Sequence, residues 1–145
     1  MKKLCYILFL TIGMLQFNCS GFVNNVKLIG NYSVVAIDED EQSDICYFDH
    51  NDKNNGCIPV ITSTVFAVGY NKDFIIAQQH PRTFPNPPDK TVTNYYILPV
   101  DYKNKHWGDK FGLIGPLTSA QFKTKRMELS VPDSLKFTII KSDLK

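Results

Sequence analysis

Three histidines are the side chains of this sequence most suited to acid–base or metal chemistry. His50, His80 and His106 lie far apart along the chain, and none has a partner at a metal-ligand spacing such as His-x-x-x-His. The chain contains no Gly-x-Ser-x-Gly nucleophile motif and no glycine-rich phosphate loop. We therefore predict no catalytic residue, no metal ligand and no cofactor, and we interpret the three histidines as surface residues.

Carboxylates form the second group that could do chemistry. The acidic run consists of Asp38, Glu39, Asp40, Glu41 and Asp44. A charge run of this kind usually marks a solvated loop. Because no other set of catalytic residues is present in the sequence, we predict that the protein is not an enzyme. Paired carboxylates are also the catalytic groups of glycoside hydrolases, so an envelope hydrolase acting on glycan or peptide is the alternative function.

The cysteines have the spacing of a structural disulfide. Of the four cysteines, Cys5 belongs to an apolar leader and Cys19 to the segment after it, both described below. Cys46 and Cys57 remain as a pair in the folded part of the chain. A redox pair usually has two residues between its cysteines, and a zinc site needs four ligands, of which only His50 is nearby. We predict a disulfide that closes a hairpin with a polar tip and stabilises the fold by about 3 kcal/mol.

The tip of this hairpin is rich in oxygen-bearing side chains, which makes calcium binding an alternative. An EF-hand loop has a glycine followed six positions later by a glutamate. Gly56 is followed by Ile61 and Thr62 at the corresponding positions, with no glutamate. We expect a solvated loop, and no metal.

The first residues are organised as a secretory leader. Lys2 and Lys3 precede twelve mostly apolar residues at 4–15. As a helix this run covers about 18 Å, whereas a bilayer core is about 30 Å thick. It is therefore too short for an ordinary membrane span and fits the apolar region of a signal peptide.

Cys19 follows this run, and the stretch resembles the signal peptide of bacterial lipoproteins. In that family the cysteine becomes the first mature residue and carries lipid on its sulfur and its amine. The resemblance implies a signal peptide at 1–18, a lipidated tether at 19–30 and a location in the bacterial cell envelope, on the outer membrane or the periplasmic face. Two or three acyl chains anchor a protein stably. The alternative is plain secretion with cleavage near Ser20-Gly21.

The charge balance excludes a general nucleic-acid-binding surface. The 145 residues include 16 Lys+Arg and 14 Asp+Glu, and removal of the leader with Lys2 and Lys3 leaves 14 against 14. A neutral protein lacks the basic surface that binds phosphate backbones, so we predict no nucleic-acid partner. The apolar content of 43% is sufficient for one packed domain.

Hydrophobic patterning predicts a series of strands followed by one helix. Strands are expected at 31–37, 44–48, 57–61, 65–70, 74–79, 91–100 and 135–140. Asn71-Lys72-Asp73 connects two of them as a hairpin, and the prolines of 81–88 predict a surface loop. Thr118 and Gln121 have the spacing of a capping box, which predicts a helix at 118–129.

This order of elements predicts a single α+β domain at 31–145. We expect an antiparallel β meander of about five to seven strands, with one helix from the C-terminal half packed on it. The alternative is an all-β sandwich or a small barrel.

Aromatic residues after the proline loop form the candidate binding surface. Tyr96, Tyr102 and Trp107 lie among polar residues, and such rings stack on sugars or act as interface hot spots. On the predicted helix, Lys123, Lys125 and Arg126 form a small basic patch. We interpret this patch as ordinary helix surface, with anionic headgroups or an acidic partner as the alternative.

Several segments together resemble one family. They are residues 31–35, 58–60, 65–70, 73–79 and 94–98, followed by 115–118 with Gln121-Phe122 and Arg126. In this order they are similar to a family of small bacterial lipoproteins catalogued only as domain of unknown function 3997. The resemblance implies a lipid anchor and an extracytoplasmic domain, and it implies no catalytic residues. We therefore predict a lipid-anchored, non-catalytic binding or interaction module with a protein or glycan partner.

Overall fold

The computed structural model describes residues 24–49, 56–101 and 110–145. These residues form strands β1 (Asn24–Lys27), β2 (Tyr32–Ala36), β3 (Ser43–Phe48), β4 (Cys57–Ile61), β5 (Val65–Tyr70), β6 (Phe74–Gln79), β7 (Asn94–Pro99), β8 (Ile114–Leu117) and β9 (Ile139–Ile140), and helix α1 (Ser119–Glu128). Short 3-10 turns lie at Asp40–Gln42, Lys110–Gly112 and Ser142–Leu144. Within the described residues, no helix has the length and apolarity to cross a membrane.

The strands form two antiparallel sheets. The first has the order β1-β2-β3-β4 and the second the order β8-β7-β6-β5-β9. Together with α1, these sheets confirm the predicted α+β class. The nine strands in the described residues exceed the five to seven expected, because β1 and β8 were not predicted. β1 has one apolar residue among polar ones, and β8 contains glycine and proline between its two apolar residues, so neither shows the apolar alternation that marks a strand.

Strand β1 lies where the sequence predicts a tether. It pairs with β2 along its whole length, from Asn24 opposite Ala36 to Lys27 opposite Ser33. Val26 packs partly buried against the core, and the other three residues are exposed. One apolar residue among polar ones carries no strand signal, so only the pairing with β2 defines this element.

The main core lies between the two sheets. Alternate side chains along a strand point into this core. The strands β2, β3, β6 and β7 all contribute buried residues to it, including Val34, Ile45, Ala77 and Leu98. The opposite face of the second sheet is covered by α1 and the chain that follows it, where Ile76 and Ile97 pack with Phe122, Val131 and Leu135. The domain is therefore built of three layers, in the order sheet, sheet and helix.

The β5–β6 hairpin confirms the prediction, including its three-residue connection. The side-chain oxygen of Asn71 accepts hydrogen bonds from the backbone N–H groups of Asp73 (2.9 Å) and Phe74 (2.8 Å). On β5, a Cβ at Gly69 would overlap the carbonyl group of Lys136, whose carbon would lie 2.8 Å away. Glycine at this position therefore lets the C-terminal segment cross the sheet closely.

Helix α1 also follows its local sequence. The Thr118 hydroxyl accepts from the N–H of Gln121 (3.3 Å), and the Gln121 side chain accepts from the N–H of Thr118 (2.9 Å), which confirms the capping box. The strand expected at 135–140 is shorter than predicted. Leu135 is buried under the helix layer, and only Ile139–Ile140 pairs with β5.

Candidate functional site

An apolar groove lies between an edge strand of the first sheet and an edge strand of the second. Strand β4 is an edge of the first sheet and β8 is an edge of the second, and both contribute residues to the groove. Its volume is about 450 Å³. The lining residues, which are mainly aliphatic and aromatic, are Ile58, Pro59, Val60, Ile61, Thr62, Tyr96, Phe111, Leu113, Gly115 and Pro116.

The β4 wall is held in place by the predicted disulfide. Cys46 on β3 and Cys57 on β4 are bonded, with their Cα atoms 5.3 Å apart. The ladder between the two strands shifts register between Ile45 and Cys46, so that Ile45 lies opposite Ile61 and Cys46 opposite Pro59. The disulfide links the first residue of β4 to β3. In the described part of the chain, no strand lies on the other side of β4.

The opposite wall depends on two residues with positive φ. Phe111 has a φ of 57° and is buried, and its ring packs against the Tyr47 ring with 5.1 Å between centroids. Gly115 has a φ of 140°, and a Cβ there would lie 2.8 Å from the Tyr95 carbonyl oxygen and overlap the Tyr96 ring. Glycine thus allows β8 to lie against Tyr96.

Tyr96 belongs to the floor of this groove. Its side chain is 9% exposed, and burial raises the pKa of its phenol. The adjacent Tyr95 points to the other face of the sheet and packs on Phe122, with 5.1 Å between ring centroids. The predicted binding surface therefore includes one residue that lines a groove, whereas Tyr102 and Trp107 lie outside the described residues.

His80 is buried, so the prediction of a surface histidine is wrong at this position. The side chain is 3% exposed, its ring stacks on Phe66 with 4.3 Å between centroids, and its Nδ1 donates to the Val92 carbonyl at 2.6 Å. Two backbone hydrogen bonds with Thr64 continue the β5–β6 pairing beyond both strands and draw His80 inside. His50 and His106 lie outside the described residues.

No group of three or more His, Cys, Asp or Glu side chains that could hold a metal occurs in the ranges the structure describes. Most of the oxygen-rich hairpin tip, residues 50–55, also lies outside those ranges. The prediction of a solvated tip without calcium therefore stays a prediction.

Most of the acidic run forms ion pairs at the surface. Arg82 Nη2 lies 2.6 Å from Glu39 Oε1 and 3.7 Å from Glu41 Oε2, and Lys141 Nζ lies 2.9 Å from Asp40 Oδ1. These hydrogen bonds hold the pKa of Glu39 and of Asp40 below the ordinary range. Such pairs connect the loop before β3 to the proline loop and to the C-terminal segment.

Asp44 differs from the rest of the acidic run. It lies on β3 opposite Val35, and burial raises the pKa of its carboxyl to about 6 although Ser63 donates to it. Its Oδ1 is buried and has no hydrogen-bond partner among the described residues. Sequence reasoning placed Asp44 in a charge run and missed this environment, which depends on the crossing of the chain at Ser63.

Two of the three basic residues of the predicted patch on α1 form contacts within the domain. Arg126 Nη2 donates to the carbonyl oxygens of Pro132 (2.6 Å) and Leu135 (2.9 Å), and its guanidinium lies 5.6 Å from the centre of the Phe122 ring. Lys125 forms an ion pair with Glu128 at 2.5 Å. Arg126 therefore fastens the segment after the helix to the helix itself.

The fold and the groove define a disulfide-bonded α+β domain with two sheets, a helical layer and an apolar cleft between open sheet edges. Residues 29–144 match the model of a family described as a protein of unknown function (DUF3997), and the chain belongs to that family. No curated protein and no solved structure matches the chain. Family membership confirms the resemblance noted in the sequence, and it assigns no activity.

Proposed function

We propose that this protein is a lipid-anchored protein of the bacterial cell envelope that binds an extended segment of a partner protein in the groove between β4 and β8, without catalysing a reaction. The observation that carries the proposal is the groove itself. Each of its two bounding strands has one strand neighbour in the described part of the chain, and the space between them is lined by apolar side chains.

An extended polypeptide matches the chemistry of this groove. An edge strand presents backbone groups on its open side, and a peptide that adds as a further strand satisfies them. Alternate peptide side chains would then face the aliphatic residues of β4 and the Tyr96 floor. A volume of about 450 Å³ is within the ordinary size of a binding site.

Prolines on both walls explain how such edges remain open. Pro59 lies within β4 and Pro116 within β8, and both are exposed. A proline removes a backbone donor and so discourages pairing between copies of the chain, which is a common protection of sheet edges. A partner strand would therefore bind through the remaining backbone groups and through apolar contacts.

The disulfide and the leader support the location. Disulfides persist in oxidising compartments such as the periplasm and the cell surface, and the Cys46–Cys57 bond is formed in this fold. The cationic and apolar leader ends near Cys19, which is the proposed site of lipid attachment.

A peptide selection tests the binding proposal. Linear peptides are selected from a random library on the purified protein, and their affinity is measured by fluorescence anisotropy. We expect enrichment of sequences with alternating apolar residues, and we expect Thr62→Arg to weaken their binding by about tenfold, because a long cation at the exposed groove rim blocks the site.

The same substitution at Thr138 is the matched control. Thr138 is exposed and lies outside the groove, so Thr138→Arg should leave the affinity unchanged. Selected peptides that bind equally well to the Thr62→Arg variant would overturn the assignment of the groove. If glycans bind and peptides do not, and if Thr62→Arg weakens the glycan binding, the ligand of the groove would be a sugar and the peptide proposal would be wrong. Cleavage of a bound peptide during incubation would contradict the non-catalytic role.

A further inference from the structure

One end of the domain is defined by the strand termini that meet there. Asn24 at the start of β1 pairs with Ala36 at the end of β2, which in turn pairs with Ser43 at the start of β3. The Ser43 hydroxyl donates to the Val65 carbonyl at the start of β5. The proline loop leaves the second sheet at the same end, directly after β6. We call this the β1 end.

Exposed apolar side chains are concentrated at the β1 end. The described residues include five exposed large hydrophobic side chains, namely Ile37, Tyr70, Phe84, Val92 and Met127. Phe84 is 75% exposed and Ile37 is 41% exposed, and the two line one shallow cavity. Val92 belongs to the same end, because its carbonyl accepts the hydrogen bond from His80. Ile37, Phe84 and Val92 are defined here as the apolar tip.

The loop that carries Phe84 is held in shape by hydrogen bonds. Arg82 Nε donates to the Asn86 carbonyl at 3.0 Å, the N–H of Asn86 donates to the Thr83 carbonyl at 2.9 Å, and the N–H of Asp89 donates to the Pro81 carbonyl at 2.9 Å. The Arg82 side chain is only 6% exposed. The Phe84 ring therefore projects from an ordered loop, and its exposure is a property of the fold.

The length of the chain before β1 limits where this end can lie. Four residues separate Cys19 from Asn24. Five Cα–Cα steps span at most about 18 Å. If Cys19 carries lipid, Asn24 must lie within that distance of the headgroups. Strand β5 has six residues and spans about 20 Å, so its other end, at Tyr70, lies about that distance from the β1 end.

We propose that the apolar tip of Ile37, Phe84 and Val92 inserts into the headgroup region of the membrane that holds the lipidated Cys19. The β1 end then faces the bilayer. This inference rests on the anchoring in the proposed function. Apolar side chains at the boundary of headgroups and acyl chains bind in proportion to the apolar area they bury. None of the three residues lines the groove, which therefore stays accessible to a partner.

Charges next to the tip are compatible with this orientation. Glu39 is paired with Arg82, and Asp40 is paired with Lys141. Paired carboxylates repel anionic headgroups less than isolated ones, because the cation of each pair lies within a few ångströms of the anion. Asp38, next to Ile37, and Asp89, three positions before Val92, are exposed and form no ion pair among the described residues, so this neutralisation applies to Glu39 and Asp40.

A fluorescence experiment tests the orientation. Tryptophan is introduced at the tip (Phe84→Trp) or at the opposite end (Tyr70→Trp), each in a Trp107→Phe background, because Trp107 is the one native tryptophan. The lipidated proteins are reconstituted in phosphatidylethanolamine and phosphatidylglycerol vesicles that contain a brominated lipid quencher. We expect emission at shorter wavelength and roughly twofold stronger quenching for Phe84→Trp than for Tyr70→Trp.

Equal quenching at the two positions, or quenching at neither, would overturn the orientation. A second preparation separates this outcome from a failure of anchoring. There the leaderless protein is attached to the same vesicles through a maleimide lipid at Cys19, and the same difference between positions 84 and 70 is expected whether or not the cell lipidates the chain. If the Trp107→Phe variant does not fold, Phe84→Trp and Tyr70→Trp are made with Trp107 in place. The emission spectrum of the parent protein is then subtracted from that of each variant, which gives the same comparison.

Discussion

Removal of the partly buried charge at Asp44 should stabilise the domain at neutral and basic pH. Burial raises the pKa of this carboxyl from 3.8 to about 6. A group whose folded pKa is raised contributes stability below its unfolded pKa and loses it as the pH rises through the folded pKa. The destabilisation of the fold by the ionised Asp44 carboxylate should therefore increase between about pH 4 and 6 and be fully present at pH 8.

The magnitude follows from the shift. Two pKa units correspond to about 3 kcal/mol at most, since one unit is worth about 1.4 kcal/mol. Asp44 is only partly buried, and solvent screening reduces this figure to about 1 kcal/mol. Asp44→Asn keeps an oxygen that can accept from Ser63 and removes the charge. The free energy of unfolding of the variant should be about 1 kcal/mol higher than that of the parent at pH 8. This difference should vanish near pH 4, where the parent carboxyl is protonated.

Urea denaturation of both proteins at pH 4, 6 and 8, without reductant, measures this difference. Asp133→Asn, at an exposed carboxylate outside β3, is the matched control and should show no comparable pH-dependent gain. The reasoning about desolvation would be refuted if Asp44→Asn had the same effect at pH 4 and pH 8, or if it were less stable than the parent at pH 8.

Two further predictions concern covalent and steric constraints. Reduction of the Cys46–Cys57 bond, or its replacement by two serines, should lower the free energy of unfolding by about 3 kcal/mol, and equal urea midpoints with and without reductant would contradict this. Gly69→Ala should lower the melting temperature by several degrees, at a cost of about 2 kcal/mol, because the new methyl group would overlap the Lys136 carbonyl. Gly56→Ala is its control, since a Cβ there meets nothing within 4 Å, and equal melting temperatures for both variants would contradict the steric explanation.

Local chemistry made some elements predictable from the sequence. Asn71 sets the β5–β6 connection through hydrogen bonds to its immediate neighbours, and Thr118 with Gln121 fixes the start of α1 in the same way. Such interactions depend only on residues a few positions apart, so they can be recognised without knowledge of the fold. The disulfide was predictable for a related reason, because few other roles suit two cysteines at this spacing.

Features created by distant pairing could not be predicted. β1 forms because Val26 pairs with Val34 and packs on the core. The groove forms because the edge strands β4 and β8 belong to different sheets and both line it. His80 is polar by type, yet its pairing with Thr64 and its stacking on Phe66 place it inside. In each case the decisive contact joins segments whose proximity the pattern of residue types does not encode.

Lipid attachment at Cys19 underlies the proposed location, the function and the orientation at the membrane. Mass spectrometry of the amino-terminal peptide of the protein, purified from native membranes, tests it most directly. We expect a peptide that begins at Cys19 and has the added mass of a diacylglyceryl group with an acylated or free amine. An unmodified peptide that begins at another residue, or a protein that retains residues 1–18, would contradict the proposal.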